Sequence, residues 1–338
     1  MKRKLQVGFL GAGYMGQMHA KLAAKMAGVR IAAACSTPTD GAQAIAAIDP
    51  AAGTRVFEDF DAMLRETELD LLYIAIPPFA HNGQFEKAAR KGIHIFIEKP
   101  IALDVKRGAS MARAAKKAGI ITQVGYHMRY GAAVLELKRL IDKGLAGTPT
   151  LLDARFECNS LHGPWWMDRT KSGGQVFEQI IHLYDLACFF LGEPVAVSGF
   201  TANLCHRAVK GYTVEDTSAA TLQFRSGALA NISGSNCAVP MEWNSRVTVV
   251  CRNVTVHFTS HNQAEFIFTG GKQVKRTICN AGTNPYEQED RAFFDAVRAR
   301  RQASPSIEDG LRSLKLVSGM LDSASTRGAV VGLKEGKS

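Results

Sequence analysis

A short apolar run, Leu5 to Leu10, leads without a break into Gly11-Ala12-Gly13-Tyr14-Met15-Gly16, and a helical pattern follows through His19 to Met26. Strand, glycine turn and helix in that order leave few folds open. They form the first βα unit of a doubly wound sheet and the phosphate cradle of a dinucleotide site. Gly11 permits the tight turn, Gly13 lets a pyrophosphate approach the backbone, and Gly16 lets the helix lie close to the sheet. Tyr14 and Met15 lead into the helix, whose N-terminus favours phosphate charge.

The strand Val29 to Cys35 ends where a carboxylate would bond the ribose hydroxyls of NAD. Ser36 and Thr37 stand there instead, with no arginine beside them to bind a 2′-phosphate, and Asp40 lies further along. NAD and NADP both remain open, with a lean toward NADP. Asp70 to Ile76 is the continuous apolar run of a strand buried on both faces. Pro77-Pro78 ends it, which puts Ile76 and Pro77 at the ligand-binding edge. His81 either contacts the cofactor or caps the next helix, Asn82 to Lys91. Ile93 to Ile97 is a further buried strand, closed by Glu98-Lys99-Pro100. The proline stops pairing and favours an extended Lys99, an ammonium at the carboxyl end of a strand. Helix Val105 to Ala118 and strand Ile121 to Val124 complete a dinucleotide-binding domain over residues 1–124.

From 125 to 338 the pattern changes. Gly125 to Tyr130 leads into a helix, Ala132 to Lys143. Short alternating strands then dominate: Leu151–Cys158, Val195–Ala202, Thr217–Phe224, Leu229–Ser235, Arg246–Cys251, Val254–Phe258 and Ala264–Phe268. Helices are expected at Gly174–Leu191, Glu287–Arg300 and Glu308–Ser323, and the tail after Arg327 is expected to be loosely held. The expected class is α/β: an N-terminal Rossmann sheet, then an α/β domain with a large, mostly antiparallel open sheet for substrate binding and oligomerisation.

The helix after Gly173-Gly174 carries the densest chemistry. Glu178 and His182 lie four residues apart and Asp185 three further on, so helical spacing puts them on one face. Titratable groups on an otherwise apolar helix are costly to bury unless paired or used. An imidazole oriented by a carboxylate suits a general base, although the same stripe fits a solvent-facing surface. The glycine pair allows a close backbone approach or simply a turn. Further along the fold-changing segments, Tyr126, His127 and Arg129 are candidate substrate contacts. So is the loop with Trp165, Trp166 and Asp168, where indoles suit a sugar's C–H face, with core packing as the alternative for the tryptophans.

Together these segments resemble the Gfo/Idh/MocA oxidoreductase family, the relatives of glucose–fructose oxidoreductase and inositol dehydrogenase. The resemblance rests on the glycine turn with His19, on Glu98-Lys99-Pro100, on Gly125 to Tyr130, and on Gly173-Gly174 with Glu178 and His182. It implies hydride transfer between a nicotinamide cofactor and a secondary hydroxyl of a sugar, sugar derivative or cyclitol. By the same match, His182 is the acid/base and Lys99 stabilises the alkoxide. Glu178 stands where relatives commonly carry aspartate, and Glu178 or Asp185 would orient the imidazole. Glu98 would bond the cofactor, and Met128 departs from a frequent arginine. Alternatives are a glycoside-processing enzyme that uses tightly bound NAD for transient oxidation, and a non-catalytic NAD(P) sensor.

Composition narrows the partners. Net charge is +10, from 41 basic and 31 acidic residues, but the short basic clusters at Lys2 to Lys4 and Arg298 to Arg301 do not resemble a nucleic-acid arm. Seven scattered cysteines without a CxxC pair indicate neither a zinc site nor a disulfide framework, and suit a reducing cytoplasm. No apolar run reaches the length of a membrane span, and the first residues read as a strand rather than a signal peptide. No metal, nucleic acid or membrane is expected as a partner. A homodimer or homotetramer through the C-terminal sheet is expected.

Overall fold

The structure is a computed structural model that describes residues 3–333, so Lys2 and the last part of the tail lie outside the described residues. The chain forms two compact units, residues 1–125 with 286–311 and residues 126–285 with 312–338. Residues 286–311, expected in the second domain, therefore belong to the first unit.

The first unit is built on six strands, β1 (Leu5–Leu10), β2 (Val29–Cys35), β3 (Arg55–Phe57), β4 (Leu71–Ile74), β5 (His94–Ile97) and β6 (Thr122–Val124). They lie in the order β3-β2-β1-β4-β5-β6 and all pair in parallel. Helices α1 (Tyr14–Ala23), α2 (Asp40–Ala46), α3 (Phe60–Glu66), α4 (Gln84–Arg90) and α5 (Val105–Ala118) make the crossovers. β4 is buried throughout, as a strand covered on both faces must be. Phe9, Tyr73 and Phe96 stack across β1, β4 and β5 with centroids 4.9 and 4.7 Å apart. Phe293 and Phe294 pack on Tyr73, so the returning segment completes this core. Each fully buried ring contributes roughly 1.5–3 kcal/mol.

The second unit contains a nine-stranded sheet ordered β14-β13-β12-β11-β7-β10-β9-β8-β15. In chain order these are β7 (Pro149–Glu157), β8 (Pro194–Ala202), β9 (Thr217–Phe224), β10 (Leu229–Ser235), β11 (Asn244–Cys251), β12 (Val254–Ser260), β13 (Gln263–Phe268), β14 (Lys275–Asn280) and β15 (Val331–Gly332). Every pairing is antiparallel except β7 with β10. Strict alternation of burial along β9 and β10 marks one packed face and one open face. Helix α6 (Ala132–Asp142) follows the entry segment, and the two four-residue helices α7 (Pro164–Met167) and α8 (Arg169–Ser172) precede the long apolar helix α9 (Ile181–Leu191). Helix α10 (Pro285–Arg298) belongs almost wholly to the first unit, and the boundary between units falls inside α11 (Ile307–Ser325). The tail expected to be loose instead adds β15 to the edge of β8.

Candidate active site

The glycine turn has the geometry its sequence requires. Gly11 adopts φ +91°, and a Cβ there would lie 2.4 Å from the Ala75 carbonyl oxygen; a Cβ on Gly16 would lie 2.1 Å from the Gly11 oxygen. Gly13 has open space where its Cβ would stand, and no side chain caps α1 at this residue. A backbone cradle that a side chain would fill, at an uncapped helix N-terminus, fits a dinucleotide pyrophosphate. Tyr14 is 85% exposed at the same turn. At the end of β2, the Ser36 hydroxyl donates to the Pro38 carbonyl and accepts from the Ala42 N–H, while Thr37 donates to the Glu58 carbonyl. Ile76 and Pro77 are half-buried. His81 does not cap α4, whose N-cap is Gly83. Its ring lies 3.2 Å from the Ile76 carbonyl oxygen, and burial lowers its pKa.

Lys99 is half-buried at the end of β5. The preceding carboxylate is held by the chain itself: Glu98 Oε1 lies 2.9 Å from His19 Nε2, and Oε2 accepts the Lys99 N–H at 3.1 Å. Gly125 makes room for that carboxylate, since a Cβ there would approach it to 2.7 Å. On the other side of the imidazole, His19 Nδ1 lies 2.8 Å from Asp290 Oδ1, which also accepts from the Tyr73 hydroxyl. His19 is fully buried. Burial favours its neutral form, but the charges and hydrogen bonds of Asp290 and Glu98 outweigh that and hold its pKa well above 6.5. The folded state thus keeps a proton that the unfolded imidazole loses near pH ~6.5. This stabilisation is complete below that pH and is lost as pH rises through the folded value. Melting temperatures of wild type and His19→Gln across this window should show the decline only in wild type. Parallel curves would remove His19 as its source.

In the second unit the expected continuous helix from 174 is two pieces. Residues Val176–Ile180 form a wide π turn, and α9 follows. The glycine pair before it makes a turn with φ +81° and +106°. Gly174 also admits the buried Glu215 carboxylate, which a Cβ would approach to 2.4 Å. That carboxylate accepts the Val176 N–H at 2.8 Å and pairs with Arg169 at 2.7 Å. Glu178 lies in the π turn, whereas His182 and Asp185 lie together in α9, so regular α-helical spacing is broken at Glu178. Glu178 accepts from Trp166 Nε1 at 3.0 Å. His182, 6% exposed, has the His127 and Tyr126 rings edge-on at 4.7 and 5.9 Å. Asp185 instead takes a bidentate bond from Arg129, at 2.7 and 2.6 Å, and a further one from the Ser313 hydroxyl. Arg129, expected to meet substrate, and Asp185, expected beside the imidazole, are thus buried against each other. Burial, with the Asp185 charge adding, pushes the Tyr126 hydroxyl well above its usual pKa.

Both tryptophans of the loop belong to one packed cluster. Trp166 is buried in a cluster with Tyr212 and Val214, whereas Trp165 is half-buried at its edge. Asp168 accepts the Thr170 N–H at the start of α8. Sequence reasoning missed His162, which lies 2.6 Å from Gln179 Nε2, and His261, whose ring stands edge-on to His127. Neither carries a motif signal: His162 lies in the irregular segment before α7, and His261 in the turn between β12 and β13.

Two family models cover most of the chain. "Oxidoreductase family, NAD-binding Rossmann fold" matches residues 5–126, and "GFO/IDH/MocA C-terminal domain" matches residues 134–257. An inositol 2-dehydrogenase of Rhizobium meliloti (strain 1021) is 28% identical over 329 residues, 96% of this chain and 98% of that one. A scyllo-inositol 2-dehydrogenase (NAD(+)) of Bacillus subtilis (strain 168) is 28% identical over 247 residues, 70% of this chain and 68% of the relative. A levoglucosan dehydrogenase solved in complex with NADH shares the fold with a TM-score of 0.89 at 19% identity, covering 98% and 100% of the two chains. Dinucleotide turn, sheet order and second-unit match together assign this chain to the GFO/IDH/MocA family of NAD-binding oxidoreductases.

Proposed function

We propose that the protein is a dehydrogenase of one secondary hydroxyl on a cyclitol or sugar, with NAD(H) as its cofactor. The observation that carries this reading is His182: a buried imidazole in the first turn of α9, flanked by His127 and Tyr126, in a chain related to cyclitol dehydrogenases along nearly its whole length. When bound at the Gly11–Gly16 turn, the dinucleotide supplies the hydride acceptor. His182 takes the hydroxyl proton, and the role of the Lys99 ammonium is to stabilise developing oxyanion charge. Glu178 is the orienting carboxylate, because Asp185 is held by Arg129. His127 and Trp165, both half-buried, are the remaining substrate contacts, and the buried Tyr126 ring packs beside His182. Ser36 and Thr37 present neither a carboxylate nor an arginine, and the relative named for NAD(+) favours NAD over NADP. The open face of the nine-stranded sheet, with Leu151, Phe200 and Leu229 exposed, is proposed to join copies into a dimer or tetramer. The seven cysteines, none in a disulfide, suit the cytoplasm.

The test is reduction of NAD⁺ and NADP⁺ with a panel of inositols, hexoses, anhydrosugars and glycosides, followed by absorbance of the reduced nicotinamide. A cyclitol or sugar that reduces NAD⁺ is the expected result. Conversion of a glycoside with no accumulation of reduced cofactor would replace this reading with transient oxidation. Binding without any turnover would leave a sensor.

A further inference from the structure

Cys205, Asp216 and Cys237 belong to three separate segments of the second unit: the loop after β8, the residue before β9 and the loop after β10. One ligand atom from each, two Sγ and a carboxylate oxygen, all lie within 4.8 Å of one another. Sequence separations of 11 and 21 residues hide this grouping from any CxxC search.

The carboxylate is built in. Asp216 is fully buried and accepts the backbone N–H groups of Leu204, Cys205 and His206 at 2.9, 2.7 and 3.1 Å. Such outer donors fix a carboxylate as metal-site partners do. Cys205 is exposed and Cys237 half-buried, so an ion can enter from solvent. Two sulfurs and one carboxylate are the donor set of a thiophilic, tetrahedral cation, and the fourth position is left to water.

We propose that Cys205, Cys237 and Asp216 form a binding site for a divalent cation of the zinc type. On entry the ion forms two metal–sulfur bonds and releases the two thiol protons to solvent. Its position gives it a structural consequence. Asn236, the neighbour of Cys237, donates to the Ser160 carbonyl and the Tyr212 hydroxyl and accepts the Ser160 N–H. Tyr212 packs in the Trp166 cluster, and Trp166 holds Glu178. A bound ion therefore ties the loop after β8 to the support of the tryptophan loop.

The experiment titrates the reduced, chelator-stripped protein with Co²⁺ as an optical probe and displaces it with Zn²⁺. Wild type should bind one ion per chain with a sulfur-to-cobalt charge-transfer band that Zn²⁺ bleaches. Cys205→Ser and Cys237→Ser should each weaken binding about a hundredfold or more, since even outer partners of a metal ligand cost 10–100-fold. Cys279→Ser should bind as wild type does. Apo melting curves report folding, and if Cys237→Ser is unstable, the exposed Cys205 variant decides. A band that survives both serine variants would overturn the proposal. So would the absence of a sulfur band in wild type, or loss of two thiols to a disulfide with no ion bound.

Discussion

Replacing His182 by alanine is expected to lower kcat by about 10²–10⁴, the range general acid–base groups supply, while the dinucleotide binds as before. The reason for the split is where the residues reside. His182 begins α9 in the second unit, whereas the glycine turn that cradles the dinucleotide belongs to the first. Lys99→Ala is expected to cost a similar factor through a different contribution, loss of the charge that meets the developing oxyanion. Lys99→Arg, which keeps the charge but spreads it over a planar fork, should recover only part of the rate. A loss confined to kcat identifies interactions made in the transition state, and a rise in KM alone would identify simple substrate binding. Turnover within a few-fold of wild type in His182→Ala would reject the acid/base assignment. Melting temperature is the control, because His182 is buried and an alanine there leaves a void.

How much of this was legible depends on whether a residue's partner is near it in sequence. β1, β2, β9 and β10 were readable end to end, because buried parallel strands are continuous apolar runs and half-buried ones alternate. β3 was not: only three residues long, it buries Phe57 alone. β14 was missed because five of its six residues are exposed, leaving no alternation to read. Helix α10 was found, but an amphipathic pattern does not say which core the apolar face joins. Phe293 and Phe294 join the first. The glycine turn was legible because local chemistry marks it, and the same kind of signal made Lys99 and His182 candidates. The partners that hold the site in place were not: Asp290 meets His19 across 271 residues, and Glu215 meets Val176 across 39. A carboxylate whose donor comes from a distant segment reads in sequence as an ordinary surface charge. The π turn was invisible for another reason, since one extra residue per turn leaves composition and hydropathy unchanged.

Asp185→Asn is expected to be among the most destabilising single changes in the second unit, at about 3–5 kcal/mol. The substitution keeps shape and removes the carboxylate charge from a pair in which the Arg129 guanidinium is only 5% exposed. Arg129 also lies over the Phe189 ring at 4.7 Å, and a displaced guanidinium would disturb that packing as well. At roughly 2–4 °C per kcal/mol for a unit of this size, the melting temperature should fall by about 10 °C. Taking both charges out of water is itself costly, so Arg129→Met with Asp185→Leu should recover most of the loss. The double variant also separates the two roles open to this pair. If Arg129 and Asp185 serve packing alone, the repaired core should turn over substrate with near wild-type KM and kcat. If either side chain reaches substrate, stability returns and KM stays raised. Equal, additive losses from the two single changes, with no rescue in the double, would show that the bidentate pair is not the energetic unit its geometry indicates.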